Sequence, residues 1–130
     1  MGKTKSELWC EIRKSRFIAA YVECIVFTEE LSEEFDGEFD IDNLDRDALV
    51  EIIRDCTNFL EIVESQGIEM VDNRYGYEQA GHDFWLTRNG HGAGFWDRGL
   101  GEIGDKLSKI AKSFGSSYVY RTDRGKIAIG

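Results

Sequence analysis

The sequence has no proline, only two histidines and only three cysteines in 130 residues. Without proline, chain reversals fall to the 14 glycines and to Asx residues. Cys10, Cys24 and Cys56 are odd in number, form no CxxC and have no histidine nearby in sequence. That argues against a disulfide framework or a zinc knuckle, and for buried or half-buried thiols in a reducing cytosol. Long apolar runs are missing as well. The longest, Phe17–Phe27, has 11 residues and contains Glu23, too short to span a bilayer. The opening MGKTKSELW has no apolar core behind its lysines, so no secretory signal is expected and the expected location is cytoplasmic. Basic residues are scarce, 16 against 25 acidic, for a formal net charge of −9. Such a chain is repelled by phosphate backbones, which disfavours direct nucleic-acid binding, and it is drawn to basic protein surfaces.

What is present is unevenly spread. Residues 1–70 hold 18 acidic and 7 basic side chains, a net of −11, whereas residues 71–130 hold 7 and 9, a net of +2. Ten of the nineteen residues at 29–47 are acidic. Gly37 and the Asx density read as a loop, pinned by Phe35, Phe39, Ile41 and Leu44, with Asp45 or Asp47 to cap the next helix. The length suits one domain over residues 1–130.

Ser6 followed by apolar residues near a 3.6-residue period predicts one long helix over 7–27. Leu49, Ile52, Ile53, Cys56, Leu60 and Val63 make the stripe of a second helix over 47–66, stopped by Gly67. Asn89-Gly90 is a two-residue hairpin signal. Counting outward pairs Arg88 with His91, Phe84 with Phe95 and His82 with Asp97, with Trp85 and Trp96 on the other face. Leu100, Ile103, Leu107, Ile110 and Phe114 predict a third helix over 100–114. Residues 117–129 read as a second hairpin. The expected fold is therefore α+β: two to three amphipathic helices on a small antiparallel sheet of two hairpins, in the order α-α-ββ-α-ββ.

Several strings invite chemistry. Gly99-Leu100-Gly101-Glu102-Ile103-Gly104 matches GxGxxG, with Asp123 about 20 residues on. Too little chain follows for a parallel crossover sheet, so the string reads as a glycine-rich elbow rather than a dinucleotide site. Alternating Asp36, Glu38, Asp40 and Asp42 suggest calcium, but positions 6 and 12 of an EF-hand loop counted from Asp36 fall on Ile41 and Asp47. No metal and no cofactor is expected. His82, Asp83 and Asp97 are candidates for a base and its orienting carboxylate, set against a plain hydrogen-bonded pair at the hairpin base. Glu33, Glu34, Asp36, Glu38, Asp40, Asp42, Asp45 and Asp47 are candidate partner-binding residues through charge. Trp85, Arg88, His91, Trp96 and Arg98 are candidate anchors, because Trp and Arg dominate interface energetics, set against a core tryptophan on each side of the sheet.

The stretch from Ala80 to Gly99, AGHDFWLTRNGHGAGFWDRG, resembles the signature of a family of small uncharacterised proteins from bacteriophages, prophages and plasmids. The similarity continues through Gly104-Asp105-Lys106-Leu107 and a closing Ser-x-x-x-Tyr. Upstream it touches an Asp-Ile-Asp and the Asp55-Cys56 pair. The resemblance implies a mobile-element origin and transfers no catalytic residue. Three functions follow as expectations. The first is an inhibitor that binds a host nucleic-acid-handling defence complex, of anti-CRISPR or anti-restriction type. The second is a small enzyme or ligand-binding protein using His82, Asp83 and Asp97. The third is a phage structural or assembly protein, which self-association into a homo-oligomer would favour.

Overall fold

The computed structural model describes residues 2–30, 32, 35, 39–69 and 75–130. Five helices precede one short hairpin among these residues. Helix α1, Lys5–Lys14, opens on a capping box in which Thr4 and Glu7 satisfy each other's backbone N–H. Helix α2, Arg16–Glu30, follows after a single residue. Ser15 is extended, ends α1, and accepts the Ile18 N–H on its Oγ at 3.1 Å, so it starts α2 as well. The expected single helix over 7–27 is thus two helices, broken where a cap residue interrupts the run.

A 3₁₀ turn at Ile41–Asn43 leads to helix α3, Arg46–Ser65, capped by Asp45, whose carboxylate accepts the Ala48 N–H at 2.7 Å. Gly67 (φ 69°) ends α3: the Ile68 and Gly67 amides reach back to the Val63 and Glu64 carbonyls. This helix and its stop agree with the sequence reading.

The 82–99 segment does not form a hairpin. Residues Tyr77–Arg88 are helix α4, and Phe95–Asp97 form a 3₁₀ turn. Asn89-Gly90 is the helix's C-terminal cap. The His91 amide bonds the Leu86 carbonyl at 3.0 Å and the Gly90 amide the Thr87 carbonyl at 3.3 Å, with Gly90 at φ 67°. A left-handed glycine suits this cap and a type I′ turn alike, so the dipeptide alone does not separate them. Helix α4 buries Ala80, Gly81, Asp83, Phe84, Trp85, Thr87 and Arg88, so its buried side mixes charged and polar residues with apolar ones. With Asp83, Thr87 and Arg88 on the buried side there is no apolar stripe, and the 3.6-residue signal is lost.

Helix α5, Glu102–Ser113, leads to β1 (Val119–Arg121) and β2 (Ile127–Ile129). The strands are antiparallel, pairing Val119 with Ile129, Tyr120 with Ala128 and Arg121 with Ile127. Left-handed Gly125 closes the turn through its amide on the Thr122 carbonyl. The second predicted hairpin is therefore present, and the first is replaced by helix and 3₁₀ turn. The architecture is α+β-like, mostly helical, with one two-stranded sheet. β2 also ties back to the acidic segment: the Asp45 amide donates to the Ile127 carbonyl at 2.9 Å.

Buried aromatic rings organise one core cluster. Phe59 stacks on Phe84 at 4.2 Å, on Phe17 at 5.6 Å and on Phe95 at 5.7 Å, while Tyr21 meets Trp85 edge-on at 5.4 Å. Such pairs add to area burial when offset or edge-to-face. Helix α4 lies directly against α2 because Gly81 lacks a Cβ, which would stand 2.2 Å from the Phe17 carbonyl. Among the described residues no helix is long and apolar enough to cross a membrane.

Candidate functional site

Two ion pairs anchor the 83–98 segment, Arg88–Asp55 inside the fold and Arg98–Asp83 with the arginine partly exposed. Arg88 donates to Asp55 Oδ2 at 2.9 Å, to the Tyr21 hydroxyl at 3.0 Å, to the Gly115 carbonyl at 2.9 Å and to the Phe114 carbonyl at 3.2 Å. Its guanidinium also lies over the Phe84 and Phe114 rings. It thereby joins α3, α2 and the C-terminus of α5, where a cation complements the helix dipole. Asn89 adds a second link, accepting the Ser117 amide at 2.8 Å. Burial and neighbouring anionic groups push the Tyr21 phenol's pKa up, partly offset by Arg88.

Asp83 is fully buried. It accepts from Arg98 Nη2 at 2.9 Å and Nε at 3.1 Å, from the Tyr75 hydroxyl at 2.8 Å and from Gln79 at 3.2 Å. Burial and the adjacent Asp83 charge drive the Tyr75 phenol upward, so it stays protonated and donates. A buried carboxylate is tolerable only with this kind of full satisfaction.

The three candidate catalytic residues are not brought together. His82 Nε2 stands 3.9 Å from Glu23 Oε1, across the α2–α4 groove, and is not paired with Asp97. Asp97 instead accepts the Gly94 amide at 3.2 Å and lies 3.8 Å from Arg98. His82 and Asp83, adjacent in sequence, leave α4 in different directions. The reading of Trp85 and Arg88 as surface anchors is corrected in the same way. Trp85 is fully buried, with its indole N–H on Thr28 Oγ1 at 2.9 Å, and the Arg88 side chain is only 4% exposed. Arg98 remains about one-third exposed but is committed to Asp83. His91 and Trp96 are solvent-facing.

The acidic candidates divide by role. Asp45 caps α3 and Asp40 accepts the Asp42 amide at 3.0 Å. Asp40, Asp42 and Asp47 are exposed. The Asp42 carbonyl receives Lys5 Nζ at 3.1 Å, and Arg46 lies 3.7 Å from Asp47. Glu33, Glu34, Asp36 and Glu38 lie outside the described residues. Asp47 and Glu61 lie on one face of α3, two sevens apart, with Arg54 between them. Among the described residues Glu30, Asp40, Asp42, Glu61, Glu64 and Glu69 are exposed and make no ion pair. Among the same residues no three His, Cys, Asp or Glu side chains converge in a metal-holding geometry.

The glycine-rich string is an elbow from a 3₁₀ turn into a helix, not from a strand. Gly99 and Gly101 have φ of 74° and 63°. Gly104 is pressed against the Phe95 carbonyl, where an added Cβ would stand at 2.7 Å. Ile103, expected on the buried stripe of the third helix, is exposed instead, and in the first turn of α5 it is Gly104 that faces the core. Cys10 is exposed, unlike the burial expected of it, whereas Cys24 and Cys56 are buried. Position-by-position reading missed the Asp83–Arg98 and Asp55–Arg88 pairs. Asp83, Arg88 and Arg98 all lie within one motif and Asp55 on the preceding helix, but the partners are 15 and 33 residues apart, so no local spacing marks either pair. Comparison of the chain with known protein families, with curated proteins and with solved structures finds no match in any of the three.

Proposed function

We propose that this is an acidic mobile-element protein that binds a host protein complex stoichiometrically and inhibits it. The target class is nucleic-acid-handling defence machinery, of the CRISPR or restriction type, which carries basic grooves. The observation that carries the reading is the set of exposed, unpaired carboxylates in the acidic half, with Asp40 and Asp42 at the turn before α3. Exposed charges of one sign steer a complementary surface and are screened by salt. The dispersal of His82, Asp83 and Asp97 supports a binding role over a catalytic one. The mobile-element origin rests on the resemblance of the 80–99 signature.

The test is capture from bacterial lysate at low and moderate salt, using the wild-type chain and a D40N/D42N/D47N variant. One complex is expected that is lost on raising the salt and on neutralising the three aspartates. Its purified activity should then fall in proportion to added protein. Capture that survives both changes, or a captured complex whose activity is untouched, would refute the proposal.

A further inference from the structure

Among the described residues no main-chain hydrogen bond joins residues 93–98 to another element; the Asp97 amide closes on the Gly94 carbonyl inside the segment itself. Three other contacts hold the segment down. The Phe95 ring is completely buried, 5.7 Å from Phe59 and 6.4 Å from Tyr75. The Phe95 amide donates to Thr87 Oγ1 at 3.1 Å. Arg98 holds Asp83 through Nη2 at 2.9 Å and Nε at 3.1 Å. Thr87 and Asp83 stand one turn apart on α4, so the segment lies along one face of that helix. Both of its ends are free to pivot. Gly92 and Gly99 have φ of 80° and 74°, with open space where a Cβ would stand.

Releasing Arg98 does not strand its partner. Asp83 also accepts from the Tyr75 hydroxyl at 2.8 Å and from Gln79 at 3.2 Å, and neither residue lies on the segment. A buried carboxylate that keeps two donors costs far less than an orphaned one. The helices keep their own main-chain bonds when the segment leaves, and the aromatic cluster loses only the Phe95 ring. We propose that residues 93–98 are a latched strap that swings off α4 as one unit. Arg98–Asp83 is the latch and the flanking glycines are the hinges. Opening uncovers the Asp83 carboxylate and the Phe95 socket while the helices stay folded. Regions with few main-chain ties open in this way at free energies below that of global unfolding. The device is independent of the binding reading above and needs no partner.

The test is native-state hydrogen exchange on the full ¹⁵N-labelled chain, across sub-denaturing urea and under conditions where exchange reads opening equilibria. The strap reporters are the Gly94, Phe95 and Asp97 amides, which donate to Asp97 Oδ1, Thr87 Oγ1 and the Gly94 carbonyl. A detached turn of this size protects no amide. The Ile52 and Phe59 amides report on the core through α3. One common opening constant is expected for the three strap amides, larger than that of α3 and less steeply dependent on urea. The latch is broken both in the open strap and in the unfolded chain. Arg98→Lys should therefore speed strap and α3 exchange by the same factor, about tenfold. Ser15→Ala weakens a cap that the open form keeps. It should speed α3 exchange about fivefold and leave the strap within about twofold. Strap amides that share the urea dependence of α3, that differ widely among themselves, that follow Ser15→Ala or that ignore Arg98→Lys would overturn the proposal. Should Arg98→Lys fold poorly, the urea dependence of the wild-type chain and Ser15→Ala decide it.

Discussion

Arg88 makes four hydrogen bonds to three other parts of the chain, and each acceptor is left short if it is removed. Arg88→Ala strands the mostly buried Asp55 carboxylate and two carbonyls, a loss of about 3–5 kcal/mol that urea unfolding would measure. Arg88→Lys should recover only part of it, since an ammonium cannot reproduce the fork. Titration of single residues gives a second expectation. Burial and nearby anionic groups push the Cys24 thiol up to about 12, against 9.0 when unfolded. Cys56 is driven the same way, as are the Tyr21 and Tyr75 phenols. In every case the folded state holds its proton more tightly than the unfolded state. That contribution is complete below pH 9 and lost progressively as pH rises toward 12. Thermal melts should therefore show stability declining across that window, more shallowly in a Cys24→Ala/Cys56→Ala variant.

Helices α3 and α5 were legible in the sequence because each keeps one wet and one dry side, and the closing hairpin was legible from its strands and Gly125. Helix α4 was not. Its buried side carries Asp83, Thr87 and Arg88 as well as apolar residues, and its cap uses the dipeptide a tight hairpin would use. The site inherited that error: placing 82–99 in a hairpin paired His82 with Asp97 and exposed Trp85, both undone once the segment is a buried helix. The acidic candidates were independent of pairing, and Asp40, Asp42 and Asp47 face solvent. The junction of α1 and α2 was hidden because apolar spacing continues past it, and only the cap residue Ser15 marks it. Ser15→Ala removes the side-chain acceptor for the Ile18 amide and should destabilise the fold by about 1 kcal/mol in chemical denaturation.

At the scale of the whole molecule, the net charge of −9 acts in opposite directions on folding and on binding. Self-repulsion opposes the compact state, and salt relieves it once the screening length falls to about 8 Å at physiological strength. The melting temperature should rise on going from low to physiological salt, while partner capture falls; a parallel fall in both would mean that attractive pairs outweigh the repulsion. The internal position of α4 has a consequence of another kind. The part of α4 from Ala80 to Arg88 is packed against α2, α5 and the aromatic cluster, and only His82 and Leu86 in it are partly exposed. An antiserum raised against a peptide of residues 80–88 should therefore stain the denatured chain on a blot and fail to precipitate the native protein.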